Sequence, residues 1–217
     1  MTLKLYAHPF SMYCQKALIA FYENALPFEL RLLDGGAASD ELAALWPLKR
    51  FPVLVDGNRT VLEASIIVEH LGVFHPGPVR LIPADPGLAL DARMMDRIFD
   101  NYIATPLMTI VADSMRLPGE RDAKGVTDAR TVLETAYAWL DGRMAGRSWA
   151  SGDAFSLADC AAGPALFYAD WTHAIDPGFV HLHDYRKRLL ARPSFARAVD
   201  EARPYRSFFP LGAPDRD

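Results

Sequence analysis

Apolar and polar positions follow two different periods in the first third of the chain, and these periods predict its elements. The run LKLYA is apolar enough for a buried strand, and PFELRLL alternates in the manner of a second strand. Between them, CQKALIAFYEN repeats its apolar residues at helical spacing and ends near Asn24. The four residues that share the apolar helix face are Ala17, Leu18, Phe21 and Tyr22. The pattern predicts a β-α-β unit.

A hairpin and one more helix follow after an irregular stretch. The segment FPVLVDGNRTVLE has two strand-like runs around Asp56-Gly57, a common tight-turn pair, and SIIVEHLGVF predicts a helix that ends near Gly72. The helical crossover implies a parallel strand pair, and the hairpin adds antiparallel strands to the same sheet. We therefore expect a small α/β domain over residues 1–76.

Proline and glycine then interrupt the pattern, and beyond them every segment is helical. Prolines deny hydrogen-bond donors to regular elements, so FHPGPVRLIPADPG predicts a linker, assigned to residues 77–89. Residues 90–217 are predicted to form an all-helical domain whose long first helix bends at Pro106. In SLADCAAGPALFYADW, Ser156 and Asp159 have the spacing of a capping box.

Composition narrows the class of protein. The chain has 217 residues, 51% of them hydrophobic, and a formal net charge of −4. Its Lys and Arg residues are scattered among acids, which argues against a nucleic-acid partner. We expect no signal peptide, no membrane span and no membrane partner. Cys14 and Cys160 do not make a disulfide framework, so we expect a cytoplasmic protein.

The stretch SMYC has the spacing of a redox Cys-x-x-Cys pair in which serine replaces the first cysteine. Either Cys14 keeps a thiol chemistry of its own, or Ser11 performs a different one. A thiol at a helix N-terminus can be acidified, but the first, attacking cysteine of such a pair is absent. The residues alone leave both alternatives open.

Several segments together resemble the cytosolic glutathione S-transferase family, and the resemblance covers nearly the whole chain. They are CQKALIAFYENALPFEL, WPLKRFPVLVDG, LEASIIVEHL, FSLADCAAGPAL and RPSF, in the family's order. The resemblance implies a thioredoxin-like N-terminal domain (β-α-β-β-β-α) followed by an all-α domain. It also implies that glutathione is the co-substrate and that the enzyme transfers alkyl or aryl groups to it.

The resemblance assigns one group of glutathione contacts to the loop before the third strand. Phe51-Pro52 stands at the family's cis-proline position, where the backbone of Phe51 would pair with the glutathione peptide like an added strand. Arg50 stands where the family often places a cation, and it would pair with the glycine carboxylate of glutathione.

A second group of contacts is assigned to the start of the following helix. Ser65 is expected to cap this helix and to help its N-terminus hold the γ-glutamyl carboxylate. The chain departs from the family at Ala64, where many members have an acid or glutamine. Glu63 is the substitute we expect for the contact to the ligand's amino group.

Ser11 is the predicted catalytic residue, because it can donate a hydrogen bond to the glutathione sulfur. Lowering a thiol pKa from about 8.5 to about 6.5 takes roughly 2.7 kcal/mol. A helix N-terminus supplies about 0.3–1 kcal/mol, at best about 2, whereas a hydrogen bond to a charged group adds about 1.5–3 kcal/mol. The serine hydrogen bond and the helix N-terminus together supply enough free energy for this shift in the thiol pKa. Tyr13 is the rival for this role.

The electrophile is expected to be partly apolar and to bind between the two domains. The residues predicted to line its pocket are Met12, Tyr13, Tyr102, Pro106, Met108, Phe167 and Trp171.

Two further functions remain open, a thiol transferase or peroxidase that uses Cys14, and a non-catalytic glutathione-binding or regulatory protein. The resemblance implies a homodimer. No metal is predicted, because no acid or cysteine completes a site around His173, His181 and His183.

Overall fold

The N-terminal part of the chain folds as a thioredoxin-like domain, as the sequence predicts. The computed structural model describes residues 2–217, so Met1 of the predicted first domain lies outside the described residues. The strands are β1 (Leu3–Ala7), β2 (Phe28–Leu32), β3 (Val53–Asp56) and β4 (Arg59–Leu62), in the sheet order β2-β1-β3-β4. The helices of this domain are α1 (Met12–Glu23), α2 (Ala37–Leu45) and α3 (Ala64–Phe74).

The sheet is mixed, and the predicted pairing is confirmed. β1 runs parallel to β2, with Leu5 opposite Leu30, because α1 carries the chain back to the same end of the sheet. β3 pairs antiparallel with β1 and with β4, and Asp56 faces Arg59 across the hairpin turn. β1 is therefore a central strand, which explains its nearly continuous apolar character.

The two faces of the sheet are covered by different helices. Leu3 and Leu5 belong to the main core together with α1 and α3, whereas Tyr6 packs against Leu42 of α2 on the other face. The stretch that we expected to be irregular therefore contains a helix. Its apolar positions are few, since α2 buries only a narrow stripe against the sheet.

The C-terminal part of the chain is all-helical, also as predicted. Its α-helices are α4 (Pro86–Ile98), α5 (Thr105–Ser114), α6 (Ala123–Met144), α7 (Leu157–Thr172), α8 (Val180–Leu190) and α9 (Pro193–Ala202). A π-helical segment (Phe99–Ala104) joins α4 to α5, and 3-10 turns cover Pro118–Glu120 and Arg203–Phe208. α7 is buried along its whole length and packs on α1, so it joins the two domains.

The first helix of this domain begins inside the predicted linker, at residue 86 of the range 77–89. Asp85 caps it, since its Oδ1 accepts the amide of Leu88 at 2.8 Å. Pro86 occupies the first turn, where a backbone N–H would have no partner within the helix, so the lack of an N–H in proline costs no hydrogen bond. A proline that looks like a helix breaker in the sequence is thus a helix start.

The long helix changes its winding just before Pro106, where we predicted a bend. A proline has no N–H, so a uniform α-helix would leave the carbonyl four residues earlier without its partner. The π-helical segment lies at this position, and π-helical turns are frequent at functional sites. It carries Asp100, which faces the space between the domains.

Within residues 2–217, no helix is both long enough and apolar enough to span a membrane.

Candidate active site

A cavity of about 660 Å³ lies between the two domains. Three N-terminal segments line one side, namely the β1–α1 loop, the connection from α2 to β3 and the junction of β4 with α3. The helices α4, α5 and α7 and the segment after α9 line the other side. A cavity of this size suits a small molecule or a tripeptide.

Most of the predicted site residues meet at this cavity. Those that line it are Ser11, Met12, Tyr13, Arg50, Phe51, Pro52, Glu63, Ala64, Ser65 and Met108. They come from four separate segments, which only the fold brings together.

Four residues predicted for the electrophile pocket do not line the cavity. Tyr102 is 54% exposed on the outside of the long helix. Pro106, Phe167 and Trp171 are buried in the helical core, where the two aromatic rings pack against each other with centroids 4.6 Å apart. The prediction was wrong here because a helix places residues on all sides, and spacing alone does not say which side faces the ligand.

Ser11 is the N-cap of α1, with an extended backbone at φ −85° and ψ 124°. Its Oγ accepts the amide of Cys14 at 3.4 Å, so the hydroxyl proton is free to be donated elsewhere. The first amides of α1 have no carbonyl four residues earlier to bond, and they carry the positive end of the helix dipole. The end of the helix therefore offers a hydroxyl donor and a favourable potential to an anion.

Cys14 is fully buried beneath this loop. Burial raises the pKa of its thiol to about 12, although hydrogen bonds from the His8 amide and from Ser11 act in the opposite direction. A thiol in this environment is neither a thiolate at neutral pH nor within reach of a substrate. The other cysteine, Cys160, is buried as well, and both are free.

The Phe51–Pro52 peptide bond is cis, as predicted from the sequence. Phe51 is 40% exposed, lies two residues before β3 and lines the cavity. Lys49 and Arg50 precede it and also line the cavity, which makes this edge positively charged.

The junction of β4 and α3 differs from our expectation. The N-cap of α3 is Glu63, at φ 67° and ψ 124°, and not Ser65. Ser65 lies one residue inside the helix and is buried, and its hydroxyl donates to Asp96 Oδ2 at 2.8 Å. Ala64, between them, has no polar side chain. The start of α3 therefore offers backbone amides, and no free hydroxyl, to a ligand.

A buried ionic cluster lies directly behind this junction. Lys16 is 2% exposed, and its Nζ donates to Asp96 Oδ1 at 2.9 Å and to Asp100 Oδ1 at 2.6 Å. Arg97 continues the cluster toward the cavity, because its guanidinium binds Asp100 Oδ2 at 2.9 Å and also contacts Ser65 and Asp96. Burial raises the pKa of Asp100, and the charge of Lys16 counteracts it.

The sequence analysis did not predict this ionic cluster, nor the part of the cavity lining that comes from α7 and from residues 208–210. Lys16 interrupts an apolar helical run, and Asp96 and Asp100 are four residues apart, so both signals were present in the sequence. The other wall consists of Tyr168 of α7 and of residues 208–210, Phe208, Phe209 and Pro210. No sequence pattern relates these residues to Ser11.

Comparison with known proteins gives one consistent family. The model of the glutathione S-transferase N-terminal domain matches residues 5–78, and the model of the C-terminal domain matches residues 119–201. A glutathione S-transferase of Methylobacterium radiotolerans, solved in complex with glutathione sulfonate, is 29% identical with a TM-score of 0.79, over 92% of this chain and 95% of its own.

Two curated relatives differ in their names. A stringent starvation protein A homolog of Coxiella burnetii is 25% identical over 92% of both chains. A probable glutathione S-transferase of Oryza sativa subsp. indica is 34% identical over 65% of this chain and 62% of its own. Both domain models belong to one family and match in the family's order, and the fold agrees with theirs. The chain is therefore a member of the glutathione S-transferase family.

Proposed function

We propose that the protein binds glutathione, stabilises its thiolate and conjugates it to an electrophilic, partly apolar small molecule. The observation that carries this proposal is the position of Ser11, whose hydroxyl caps α1 at the wall of the interdomain cavity. In the reaction the thiol proton leaves to water, and the sulfur then forms a bond to the electrophilic carbon while a leaving group departs with its electron pair.

The energies support a shared role for Ser11 and the helix end. A shift of two pKa units in the bound thiol takes about 2.7 kcal/mol, more than the roughly 0.3–1 kcal/mol of a typical helix N-terminus. A hydrogen bond to the thiolate adds about 1.5–3 kcal/mol. Tyr13 also lines the cavity, and burial raises the pKa of its phenol, so Tyr13 stays protonated and is the competing donor.

The charges around the cavity suit the two ends of glutathione. Arg50 would bind the glycine carboxylate, and the backbone of Phe51 would pair with the peptide. At the other end, the amides of α3 together with Arg97 would hold the γ-glutamyl carboxylate. Glu63 and Asp100 would then receive its ammonium group. In this arrangement Arg97 binds the γ-glutamyl carboxylate, a role that we had expected of the Ser65 hydroxyl.

The electrophile would enter beside the sulfur, against the apolar wall formed by Met12, Met108, Val111 and Phe208. This wall contains no cation, so it favours an apolar or aromatic molecule over an anion.

The test is a titration of bound glutathione, with thiolate formation followed by ultraviolet absorbance in the wild type, Ser11→Ala and Tyr13→Phe. We expect the pKa of the bound thiol to rise by about one to two units in Ser11→Ala, since a charged hydrogen bond of about 1.5–3 kcal/mol is lost. Tyr13→Phe is the matched control and should leave this pKa unchanged. Equal pKa values in the wild type and Ser11→Ala would refute the role of Ser11.

A second candidate function is a non-catalytic glutathione-binding or regulatory protein. One observation favours it: a relative that matches 92% of this chain is named as a stringent starvation protein and not as a transferase. Binding of glutathione without turnover of any electrophile in a broad panel would support it. The Cys14-dependent thiol transferase is disfavoured by the burial of that thiol. Retained activity in Cys14→Ser would exclude it.

We also propose a homodimer in the cytoplasm. Arg93 of α4 binds Glu69 of α3 through two hydrogen bonds of 2.8 and 2.9 Å, which places these helices side by side. Their outer faces carry exposed apolar side chains, Ile66, Val73, Phe74, Leu90 and Met94. Light scattering should give twice the chain mass of 24.1 kDa. Phe74→Glu should give the single mass, and a single mass for the wild type would refute the dimer.

A further inference from the structure

Three side chains with metal-ligating atoms converge at a place outside the interdomain cavity. Asp56 ends β3, His70 lies on α3, and His75 follows the last residue of that helix. Their ligand atoms all lie within 4.8 Å of one another. Both imidazoles contact one carboxylate oxygen, with Asp56 Oδ2 at 2.9 Å from His70 Nε2 and at 2.7 Å from His75 Nε2.

We propose that Asp56, His70 and His75 form a binding site for a first-row divalent cation, with zinc as the cation to be tested. Two imidazole nitrogens and one carboxylate oxygen are a donor set that zinc, copper and nickel favour over magnesium and calcium. A water molecule would complete a tetrahedral site.

The spacing of the donors is close to what the cation requires. Ligand atoms about 2.0–2.1 Å from a tetrahedral zinc lie roughly 3.4 Å apart. From their present 2.9 and 2.7 Å, the Nε2 atoms of His70 and His75 would therefore have to move away from Asp56 Oδ2 by about 0.5 and 0.7 Å. His75 and Asp56 have 29% and 19% of their side chains exposed, so both can move and water can reach the fourth position. His70 has only 7% exposed and fixes the inner side of the site.

The protonation states also permit binding. An aspartate side chain is a carboxylate at neutral pH, and Asp56 Oδ2 lies within hydrogen-bond distance of both imidazoles. A carboxylate only accepts hydrogen bonds, so these two contacts are hydrogen bonds when each Nε2 carries a proton. The alternative imidazole tautomer carries that proton on Nδ1 and leaves Nε2 free for the metal.

One charge opposes the cation. Arg59 faces Asp56 across the hairpin, and its guanidinium lies 4.3 Å from the ring centroid of Phe74. This positive charge would weaken binding of the cation, whereas its stacking on Phe74 gives the guanidinium a partner other than Asp56. A bound cation would join the end of β3 to the end of α3 and would stabilise the folded domain.

The experiment is a titration of the chelator-treated full chain with cobalt(II), followed by visible absorption and by competition with zinc. We expect one equivalent of cobalt to give the intense absorption of tetrahedral coordination, and zinc to abolish it. His75→Gln, the more exposed ligand, should lose at least tenfold in cobalt affinity, and Asp56→Asn should lose more. His181→Gln, an exposed histidine on α8, is the matched control and should bind as the wild type does.

Several outcomes would overturn the proposal. They are a wild type that takes up no stoichiometric cobalt, a spectrum of weak octahedral type, and unchanged binding in His75→Gln. Loss of binding in His181→Gln would place the metal elsewhere. Because Asp56, His70 and His75 do not line the interdomain cavity, the result is independent of whether glutathione binds there.

Discussion

Replacing Lys16 by Met should destabilise the protein severely, because it removes the cation of a buried cluster. Lys16 is 2% exposed, and Asp96, to which it bonds, has 2% of its side chain exposed. Asp100, its second partner, has 15% exposed. Methionine fills similar space without a charge, so packing on α1 is kept while Asp96 and Asp100 lose their buried cation and keep only the more exposed Arg97.

The magnitude follows from the desolvation of those carboxylates. Breaking a buried ion pair by removing one member typically costs about 3–5 kcal/mol, because the remaining charge stays buried. Arg97 retains its bonds to both acids and limits the loss, so we expect about 3 kcal/mol. In a chain of this size this corresponds to a fall in melting temperature of roughly 6–12 °C.

The assay is urea unfolding at pH 7, with Lys124→Met as the matched control. Lys124 also pairs with an aspartate, Asp128, but it has 80% of its side chain exposed, and an exposed pair of this type contributes at most about 0.5 kcal/mol. The double variant Lys16→Met/Asp100→Asn should regain part of the stability, since one uncompensated carboxylate is then removed.

The effect should also depend on pH in a defined direction. Burial already raises the pKa of Asp100, and losing Lys16 raises it further. An acid whose folded pKa lies above its unfolded value contributes stability at low pH, and this stability is lost as the pH rises through that interval. The deficit of Lys16→Met should therefore shrink as the pH falls toward the raised pKa. A deficit no larger than that of Lys124→Met, or one that grows on acidification, would refute the reasoning.

Three more predictions concern other parts of the chain. Asp159→Asn should lower the free energy of unfolding by about 1–3 kcal/mol, because the buried carboxylate accepts the amides of Ala150 and Ser156 at 2.9 Å and the Tyr185 hydroxyl at 2.6 Å. Its turnover per folded molecule should be unchanged; an unchanged melting temperature with lost turnover would contradict a structural role. Cys14 and Cys160 should resist iodoacetamide at pH 8 until the protein unfolds, as measured by mass spectrometry, because burial raises both thiol pKa values. Labelling of the native protein within minutes would disprove this. Arg97→Gln should weaken glutathione binding about tenfold in calorimetry, because a charged hydrogen bond is lost. Arg121→Gln, at an exposed arginine, should bind glutathione as the wild type does. Equal affinities of Arg97→Gln and the wild type would show that Arg97 does not bind glutathione.

The fold was predictable because its signals are local. Strand and helix periods, the Gly57 turn and the Ser156–Asp159 spacing all act over a few residues, and the structure contains each of them. The elements that were missed have weak local signals. α2 buries only a narrow apolar stripe, and α4 starts at a proline that the linker assignment counted as a breaker.

The candidate site was predictable mainly in its N-terminal half, since Met108 is the one residue predicted from the helical domain that lines the cavity. Ser11, Phe51-Pro52 and the residues around Glu63 lie beside recognisable motifs, and all of them face the cavity. The start of α3 was misplaced by two residues, because serine is a good cap by propensity and Glu63 is not. Only the backbone conformation of Glu63 decides where that helix begins.

What the sequence by itself determined is therefore the class of fold, the two-domain order and the serine at the start of α1, since these depend on short-range periodicity and capping. The tertiary structure alone decided that Lys16 is shared by Asp96 and Asp100, 80 and 84 residues away, and that Arg97 reaches the same cavity. It also decided that Phe167 and Trp171 are core while residues 208–210 line the site. Such contacts join segments that are far apart in the sequence, and no repeat of apolar or charged residues along the chain indicates which distant segments will meet.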